Sequence, residues 1–357
     1  MTASDALLPV RHLLDDGVGR AYPGAVLAVL YRGEVVERYA TGQAARADTL
    51  YDLASLTKVV ATLPLILQGV TEGRLGLDDP LPRHIPESPH AGVTVRHLLA
   101  HTSGLPAWIP FYLEARGYDA IVRRAAETPL AAPPGTRVTY SDLDYILLGE
   151  IAQRTLGASL DDLASWRIFR PLGMTHTGYR PPAGAKAQIA PTEDGTAIEQ
   201  ALAGEAGRRH TWRKALIWGE VHDSTAHAMG GVAGHAGLFG TADDLIVYAR
   251  MWLAGGRGSR RPVLAPDLVR EATTRQTPGG APRGLGWALS GPHGWWGGCL
   301  SPHAYGHTGF TGTAIAADPA RDLAIVLLTN AVRLGRDHTG ILTLRPRIAE
   351  AVARALP

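Results

Sequence analysis

This sequence of 357 residues lacks the features that mark exported, membrane-spanning or nucleic-acid-binding proteins. Its single cysteine, Cys299, excludes an internal disulfide. No uninterrupted apolar run reaches the length of a membrane span, and Asp5 and Arg11 interrupt the region where a signal peptide needs an apolar core. The formal net charge is only +2, and the arginines are scattered along the chain. We therefore expect a cytoplasmic protein with no membrane span and no nucleic-acid partner.

Lysine is also scarce: the chain has three lysines, Lys58, Lys186 and Lys214, and thirty-two arginines. Lys58 ends the stretch Ser55-Leu56-Thr57-Lys58, at the start of an apolar helical pattern. Residues i and i+3 share a helix face, so the Lys58 amine can reach the Ser55 hydroxyl. Lysine releases its proton more readily than arginine, and a serine beside a base can become an acylating nucleophile. Taken alone, the same four residues also suit a helix N-cap followed by a solvated lysine.

Two further segments downstream complete an ordered set of motifs. Tyr140-Ser141-Asp142 precedes a helical pattern, and His307-Thr308-Gly309 precedes a strand-like run. With the Ser55 stretch, they resemble the Ser-x-x-Lys, Tyr-x-Asn and Lys-Thr-Gly motifs of the serine β-lactamase and penicillin-binding-protein superfamily. Residues 96–106 and 171–178 are similar to segments of class C β-lactamases and their esterase relatives. The ordered set is far more specific than any one motif.

The pattern of apolar residues predicts strands near both ends of the chain. Residues 25–30 and 34–39 flank Arg32-Gly33, which is typical of an antiparallel hairpin. Residues 313–317 and 323–329 predict two more strands near the C-terminus. Strands from both termini are therefore expected to form one antiparallel sheet.

Helical patterns occupy the rest of the chain, with helices predicted near residues 4–17 and 344–356 and several more in the middle. We predict an α+β fold with an antiparallel sheet flanked by helices. The sheet domain comprises residues 1–77 and 220–357, and residues 78–219 form a mostly helical inserted domain. The resemblance implies the same architecture, the β-lactamase/transpeptidase-like fold.

The resemblance also implies roles for the motif residues. Ser55 would attack an acyl carbon while Lys58 and Tyr140 share the work of accepting and returning its proton, and the sequence leaves open which of them is the base. The backbone N–H groups of Ser55 and Phe310 would form the oxyanion hole. The other motif residues are expected to contact substrate: Asp142, His307, Thr308 and Gly309.

Two departures from the family pattern bear on the substrate. His307 replaces the usual lysine of the third motif, and histidine is mostly uncharged at neutral pH unless its surroundings raise its pKa. Asp142 replaces the usual asparagine of the second motif, which removes two amide donors and adds a negative charge. Both changes favour neutral esters or small amides over substrates that carry a carboxylate.

We therefore predict a serine hydrolase that forms an acyl-enzyme on Ser55, either a carboxylesterase or a small-amide hydrolase with weak β-lactam hydrolysis. The alternatives are a D-amino-acid peptidase or a β-lactamase. From a different class of protein, the alternative is a penicillin-binding sensor that is acylated but turns over poorly. The expected partner is a small-molecule ester, amide or β-lactam, and the sequence leaves the oligomeric state open.

Two other features suggest sites outside these motifs. The glycine-rich segment 230–244 lacks the Gly-Lys-Ser/Thr ending and the glycine spacing of phosphate-binding loops, so it predicts a turn before a helix capped by Thr241. The side chains of His222, Asp223, His227 and His235 could suggest a metal site, but their spacing is neither His-Glu-x-x-His nor a zinc-ribbon pattern. We expect no cofactor and no metal, and we expect His222 and Asp223 either to line the cleft or to hold the loop.

Overall fold

The computed structural model describes residues 3–43, 45–291, 294–335 and 339–356. Two antiparallel sheets form its framework. The strands are β1 (Gly24–Tyr31), β2 (Glu34–Gly42), β3 (Tyr51–Asp52), β4 (Gly178–Tyr179), β5 (Leu238–Gly240), β6 (Ala288–Leu289), β7 (Tyr305–Thr308), β8 (Ala314–Asp318) and β9 (Leu323–Thr329). The main sheet has six strands in the order β2-β1-β9-β8-β7-β6, and the small sheet has three in the order β3-β5-β4.

Helices surround both sheets. The α-helices are α1 (Ala3–Ala6), α2 (Leu8–Gly17), α3 (Leu63–Thr71), α4 (Leu81–His84), α5 (Val95–Leu99), α6 (Tyr118–Glu127), α7 (Asp142–Leu156), α8 (Leu160–Ala164), α9 (Arg170–Leu172), α10 (Ala197–Ala203), α11 (Ser224–Ala228), α12 (Ala242–Leu253), α13 (Pro266–Ala272) and α14 (Thr339–Ala355). Short 3₁₀ segments span Phe111–Leu113, Ala183–Gln188, Gly204–Arg209 and Ala331–Leu334, and π turns span Lys58–Thr62 and Ser165–Phe169. No helix in the described ranges has the length and apolar character that a membrane span requires.

The main sheet lies between two apolar layers, because successive side chains of a strand point to opposite faces. In β1, Val26 packs in the large core with Leu245 of α12. Its neighbour Leu27 packs on the other face with Leu14 of α2 and Ile348 of α14. Strands from both ends of the chain meet at the centre, where β1 pairs with β9. The predicted α+β architecture is therefore confirmed.

The predicted hairpin and the two predicted C-terminal strands are present as β1, β2, β8 and β9. The hairpin turn has positive φ at Arg32 (51°) and Gly33 (79°), as a turn that matches the strand twist requires. Two helix boundaries differ from the sequence prediction. The first helix is divided at Leu7, since Pro9 begins a new helix more readily than it continues one. The last helix already begins at Thr339.

The small sheet brings distant parts of the chain beside the first motif. Its central strand β5 pairs with β3, which directly precedes the Ser55 stretch, and with β4 from the middle of the chain. Thr241 caps α12 immediately after β5, as predicted, by accepting a hydrogen bond from the Asp244 N–H. The division into residues 1–77 with 220–357 and residues 78–219 stays a prediction.

Candidate functional site

Ser55 lies in a sharp turn between β3 and the following helix. The preceding residue, Ala54, has a backbone φ of 47°, a value that residues other than glycine rarely adopt. The Ala54 N–H donates to Asp52 Oδ1 at 2.8 Å, which holds this conformation. The Lys58 N–H donates to the Ser55 carbonyl at 3.1 Å and begins the helix. The nucleophile candidate is thus fixed at a helix start by a strained residue.

The helix begins in a widened form. A π turn covers Lys58–Thr62, and Pro64 lies in the first turn of α3 directly after it. Proline has no N–H to donate and its ring crowds the preceding turn, so the wider turn accommodates it without a break. Such turns are frequent at functional sites. This one carries Lys58.

Lys58 is fully buried, and all three of its ammonium hydrogens have acceptors. Nζ lies 2.7 Å from Asp142 Oδ1, 3.0 Å from Ser55 Oγ and 3.2 Å from the His235 carbonyl oxygen. Burial lowers the pKa of Lys58, but attraction to Asp142 and Tyr140 outweighs it and raises that pKa above its ordinary value. Lys58 is therefore a cation that donates to the Ser55 hydroxyl.

The second motif is placed by the start of α7. Ser141 is the N-cap residue, accepting from the Asp144 N–H and donating through its hydroxyl to the Pro106 carbonyl at 2.6 Å. Asp142 follows as the first helical residue and turns toward Lys58. The Tyr140 ring lies beneath two cations, with Lys58 Nζ 4.9 Å and Arg283 Cζ 5.1 Å from its centroid.

The third motif ends β7 and is attached to the Ser55 turn. A Cβ at Gly309 would lie 2.6 Å from the Leu53 carbonyl oxygen and 2.2 Å from Thr313 Oγ1, so only glycine fits there. The Thr311 hydroxyl donates to the Asp52 carbonyl at 2.7 Å, and the Thr313 hydroxyl donates to the Leu53 carbonyl at 3.1 Å. These contacts bring the segment before Ser55 and the segment around Phe310 together.

His307 is buried and uncharged. Burial lowers its pKa well below the ordinary value, and the nearby charges of Arg283 and Lys58 lower it further. Its Nδ1 bonds to the Thr308 carbonyl at 2.8 Å, and its ring centroid lies 5.8 Å from that of Tyr140. The side chain that replaces the motif lysine therefore brings no positive charge to the site.

A cavity of about 620 Å³ opens over these segments. Six of the residues that line it belong to the sequence prediction: Ser55, Tyr140, His307, Thr308, Gly309 and Phe310. Lys58 and Asp142 lie directly behind Ser55. The three motifs thus meet around one cavity, and the catalytic roles of their residues stay predictions.

Sequence reasoning missed the positive charge of this cavity. Arg283 lines the wall beside the Tyr140 ring, and its Nε and Nη1 atoms are buried without a hydrogen-bond partner among the described residues. Arg345 also lines the cavity, but it donates to the Gly309 and Thr313 carbonyls. Arg283 lies in a loop between Pro282 and Gly284 that matches no motif, so nothing in the sequence pointed to it.

A second base and carboxylate pair lies beneath Tyr140. The His101 ring packs on the Tyr140 ring with centroids 4.5 Å apart, and its Nδ1 lies 3.0 Å from Asp144 Oδ2. The Ser141 N–H donates to the same nitrogen at 3.1 Å, so Nδ1 is unprotonated and its single lone pair is shared between this N–H and the proton held by Asp144. In agreement, burial raises the pKa of Asp144 well above its ordinary value and lowers that of His101 well below it. This pair is neutral.

His222 and Asp223 are not among the described residues that line the cavity. His222 bonds through Nε2 to Glu193 Oε2 at 2.8 Å and stacks on the ring of Phe310, which lines the cavity. Asp223 caps α11 and bonds to His235 Nε2 at 3.0 Å. His235 in turn accepts from Lys58 through its carbonyl. These contacts fit a role in holding the loop.

Comparison with known proteins supports the architecture. The family model described as Beta-lactamase matches residues 10–349. A protein of Escherichia coli (strain K12) is 35% identical over 349 residues, which are 87% of this chain and 78% of that protein. Its name, D-alanyl-D-alanine carboxypeptidase, is provisional.

Solved structures share the fold at lower identity. A penicillin-binding-protein homologue from Caulobacter crescentus is similar with a TM-score of 0.76 and 24% identity, covering 99% of this chain and 98% of that one. EstCE1, a hydrolase with promiscuous acyltransferase activity, is similar with a TM-score of 0.75 and 21% identity, covering 98% of this chain and 99% of that one. At these identities, the two similarities bear on the fold alone.

Proposed function

This chain belongs to the β-lactamase family and is a serine hydrolase; from that premise we propose that it forms an acyl-enzyme on Ser55 and cleaves D-alanyl peptides that end in a free carboxylate. The observation that carries the choice of substrate is Arg283, a cation in the cavity wall that forms no ion pair with an acidic side chain among the described residues. The name of the Escherichia coli relative agrees with this substrate class.

The contacts of Lys58 support Tyr140 as the base in the proposed reaction. An ammonium that already donates to three acceptors has no lone pair, so it cannot take the Ser55 proton. Tyr140 lines the same cavity and is the remaining candidate for the base. Acting as a phenolate, Tyr140 accepts the Ser55 proton as Oγ attacks the carbonyl carbon, and the resulting phenol returns that proton to the departing amine. Water then hydrolyses the ester bond and releases the acyl group.

Lys58 and two backbone N–H groups would stabilise the negative charges that develop during the proposed reaction. The Lys58 ammonium faces Ser55 Oγ, where negative charge accumulates during attack. The N–H groups of Ser55 and Phe310 would bind the carbonyl oxygen, and one such donor is worth roughly 10²–10³ in kcat in an enzyme where this was measured. Asp142 balances the buried ammonium.

Arg283 supplies the positive charge that His307 lacks. Its Nε and Nη1 atoms are buried, so the guanidinium would attract a carboxylate as a fixed positive charge in the cavity wall and not through those two atoms. A hydrogen bond to a charged group contributes about 1.5–3 kcal/mol. The sequence-based expectation of neutral substrates considered only His307 and Asp142, so Arg283 changes the balance in favour of an anionic group next to the scissile bond.

Paired substrates test this proposal. We expect Arg283→Gln to lower kcat/KM for a peptide ending in D-alanyl-D-alanine by roughly ten- to a hundredfold. The same peptide with a C-terminal amide should be almost unaffected, because it offers no carboxylate. Exposed Arg261→Gln serves as the control and should change neither value. Equal losses for the acid and the amide would contradict the assignment of Arg283.

A second candidate, a carboxylesterase, is favoured by the apolar part of the cavity. Trp295, Phe310, Ile341 and Leu342 line one side, and Phe310 is 46% exposed. p-Nitrophenyl esters of graded acyl length, compared with the peptide and with nitrocefin, distinguish esterase, peptidase and β-lactamase activities. Acylation without turnover on all three substrates would indicate a penicillin-binding sensor.

The cytoplasmic location expected from the sequence stays a prediction.

A further inference from the structure

The buried residue His222 touches both turns that carry the proposed oxyanion donors. Its backbone N–H donates to Asp52 Oδ2 at 2.7 Å, and the other oxygen of that carboxylate accepts from Ala54, next to Ser55. Its imidazole stacks on the ring of Phe310, with centroids 5.8 Å apart and planes 26° apart. One residue thus contacts the Ser55 side and the Phe310 side of the site.

The orientation of this imidazole is fixed from behind by Glu193. Nε2 of His222 and Oε2 of Glu193 are 2.8 Å apart, and both side chains are only 5% exposed. Arg213 donates to the His222 carbonyl, so the backbone is held as well. Burial lowers the pKa of His222, but Glu193, Glu199 and Asp52 raise it above its ordinary value. The ring therefore has little freedom to turn.

The His222 ring packs against Phe310, whose side chain is 46% exposed to solvent. On the same turn, Thr311 and Thr313 tie the backbone to Asp52 and Leu53. The stacked imidazole adds a contact to the Phe310 ring itself. A small displacement of an N–H donor matters, since a misplacement of about 1 Å can cost a hundredfold in rate.

We propose that His222 and Glu193 form a positioning unit that keeps the two oxyanion-hole turns at the correct separation. The unit does not touch substrate, and it acts only through Asp52 and Phe310. The proposal rests on the proposed acyl-enzyme function of Ser55, and it adds two residues to the machinery of that site.

Three variants test the unit. His222→Leu removes the ring and keeps the backbone N–H, Glu193→Ala removes the support, and Glu193→Gln keeps a hydrogen bond to the ring. We expect the first two to lower the acylation rate by roughly ten- to a hundredfold with KM changed less than about twofold. Glu193→Gln should retain most of the rate. The double variant His222→Leu/Glu193→Ala should be no worse than either single variant, because residues that act as a unit are not additive.

An aryl boronic acid gives an independent measurement. It forms a tetrahedral adduct on the serine, and one oxygen of that adduct occupies the oxyanion hole as in the transition state. Its affinity should fall by the same factor as the acylation rate in His222→Leu and Glu193→Ala. His84→Leu is the matched control, because His84 also pairs through Nε2 with a carboxylate, Asp79, at 3.0 Å but lies outside the cavity lining. It should leave rate and boronate affinity unchanged.

The outcomes separate this inference from the proposed function. If a fluorophosphonate labels Ser55 in the wild type and the variants acylate normally, the positioning unit is wrong and the acyl-enzyme function stands. Additive losses, or losses in KM with boronate affinity intact, would also overturn it. If Ser55 is not labelled in the wild type, both proposals fail together. Melting temperatures of all variants show whether each protein is folded.

Discussion

Asp142 and Asp144 both lie in the first turn of α7, and each meets a basic side chain from another segment. Asp142 pairs with Lys58 at 2.7 Å and keeps 21% of its side chain exposed. Asp144 pairs with His101 at 3.0 Å and is fully buried. The first pair carries two opposite charges, whereas the second is neutral, with its proton on Asp144.

The difference arises from the hydrogen bonds that surround each pair. Lys58 has three acceptors within reach, which together hold the ammonium form. His101 instead receives an N–H from Ser141 on the nitrogen that faces Asp144, so a proton on that nitrogen is excluded. Buried acids and bases without matching partners become neutral. Tyr140 lies between the charged pair, which faces the nucleophile, and the neutral pair, which supports its ring.

Removing the cation of the charged pair, or the hydroxyl beside it, should have the largest effect. We expect Lys58→Met and Tyr140→Phe each to lower the acylation rate by roughly 10²–10⁴-fold, because one removes charge stabilisation at Ser55 Oγ and the other the proposed base. Stopped-flow acylation with an activated ester measures this rate. Activity within about threefold of the wild type in either variant would show that the residue has only a structural role.

Asp142→Asn should have an intermediate effect, because it removes the charge and keeps the shape. The pKa of Lys58 should fall once the carboxylate that raises it is gone, so the alkaline limb of the pH–rate profile should move to lower pH. The ratio of kcat/KM for a carboxylate-bearing substrate to that for a neutral ester should rise by up to roughly tenfold, which corresponds to about 1.4 kcal/mol. The ratio cancels general damage to the site. A flat ratio together with an unmoved alkaline limb would argue against the charged pair.

Asp144→Asn, two residues away, is the matched control with a small expected effect. A protonated acid and an amide can both donate to His101 Nδ1 and accept the hydroxyl of Ser103, which lies 2.5 Å from Asp144 Oδ1. We expect kcat/KM within about threefold of the wild type and a melting temperature lowered by only a few degrees. If Asp144 were instead ionised, breaking a buried ion pair would cost about 3–5 kcal/mol and the melting temperature would fall sharply.

Glu199 is a third buried carboxylate, and we expect it to have a smaller, pH-dependent effect on the free energy of unfolding. Burial and the charge of Asp223 raise its pKa from 4.5 to about 7. Between these pH values the folded protein holds a proton that the unfolded chain has released, so this group makes the free energy of unfolding fall as pH rises. In denaturant melts from pH 4.5 to 7, the free energy of unfolding of the wild type should therefore fall relative to that of Glu199→Gln, so the two curves separate toward neutral pH. Parallel curves would show that Glu199 does not titrate in this range.

The strands and the fold could be predicted from the sequence because the patterns that indicate them are local. Alternation in β1 and β9, the turn at Arg32-Gly33 and the spacing of Ser55 and Lys58 each depend on neighbouring residues. The order of the motifs then pointed to one fold. Meeting of those motifs around a single cavity followed from that fold.

The charges of the site could not be predicted from the sequence, because they depend on contacts between distant segments. Asp142 was expected to meet substrate, yet its closest charged neighbour is Lys58, 84 positions earlier. Arg283 enters the cavity from a loop without a motif, and the neutrality of His307 depends on its burial beside that arginine. To predict that Asp144 is protonated, one must know that the Ser141 N–H points at His101 Nδ1, and this depends on the folded structure.

Covalent labelling of Ser55 tests the central claim most directly. Wild-type protein treated with a fluorophosphonate should gain the mass of one adduct by intact-protein mass spectrometry, and peptide mapping should place it on Ser55. Ser55→Ala should remain folded, because the small side chain is easily replaced, and should gain no mass and show no turnover. An adduct of equal yield on Ser55→Ala, or turnover that survives the substitution, would contradict the account.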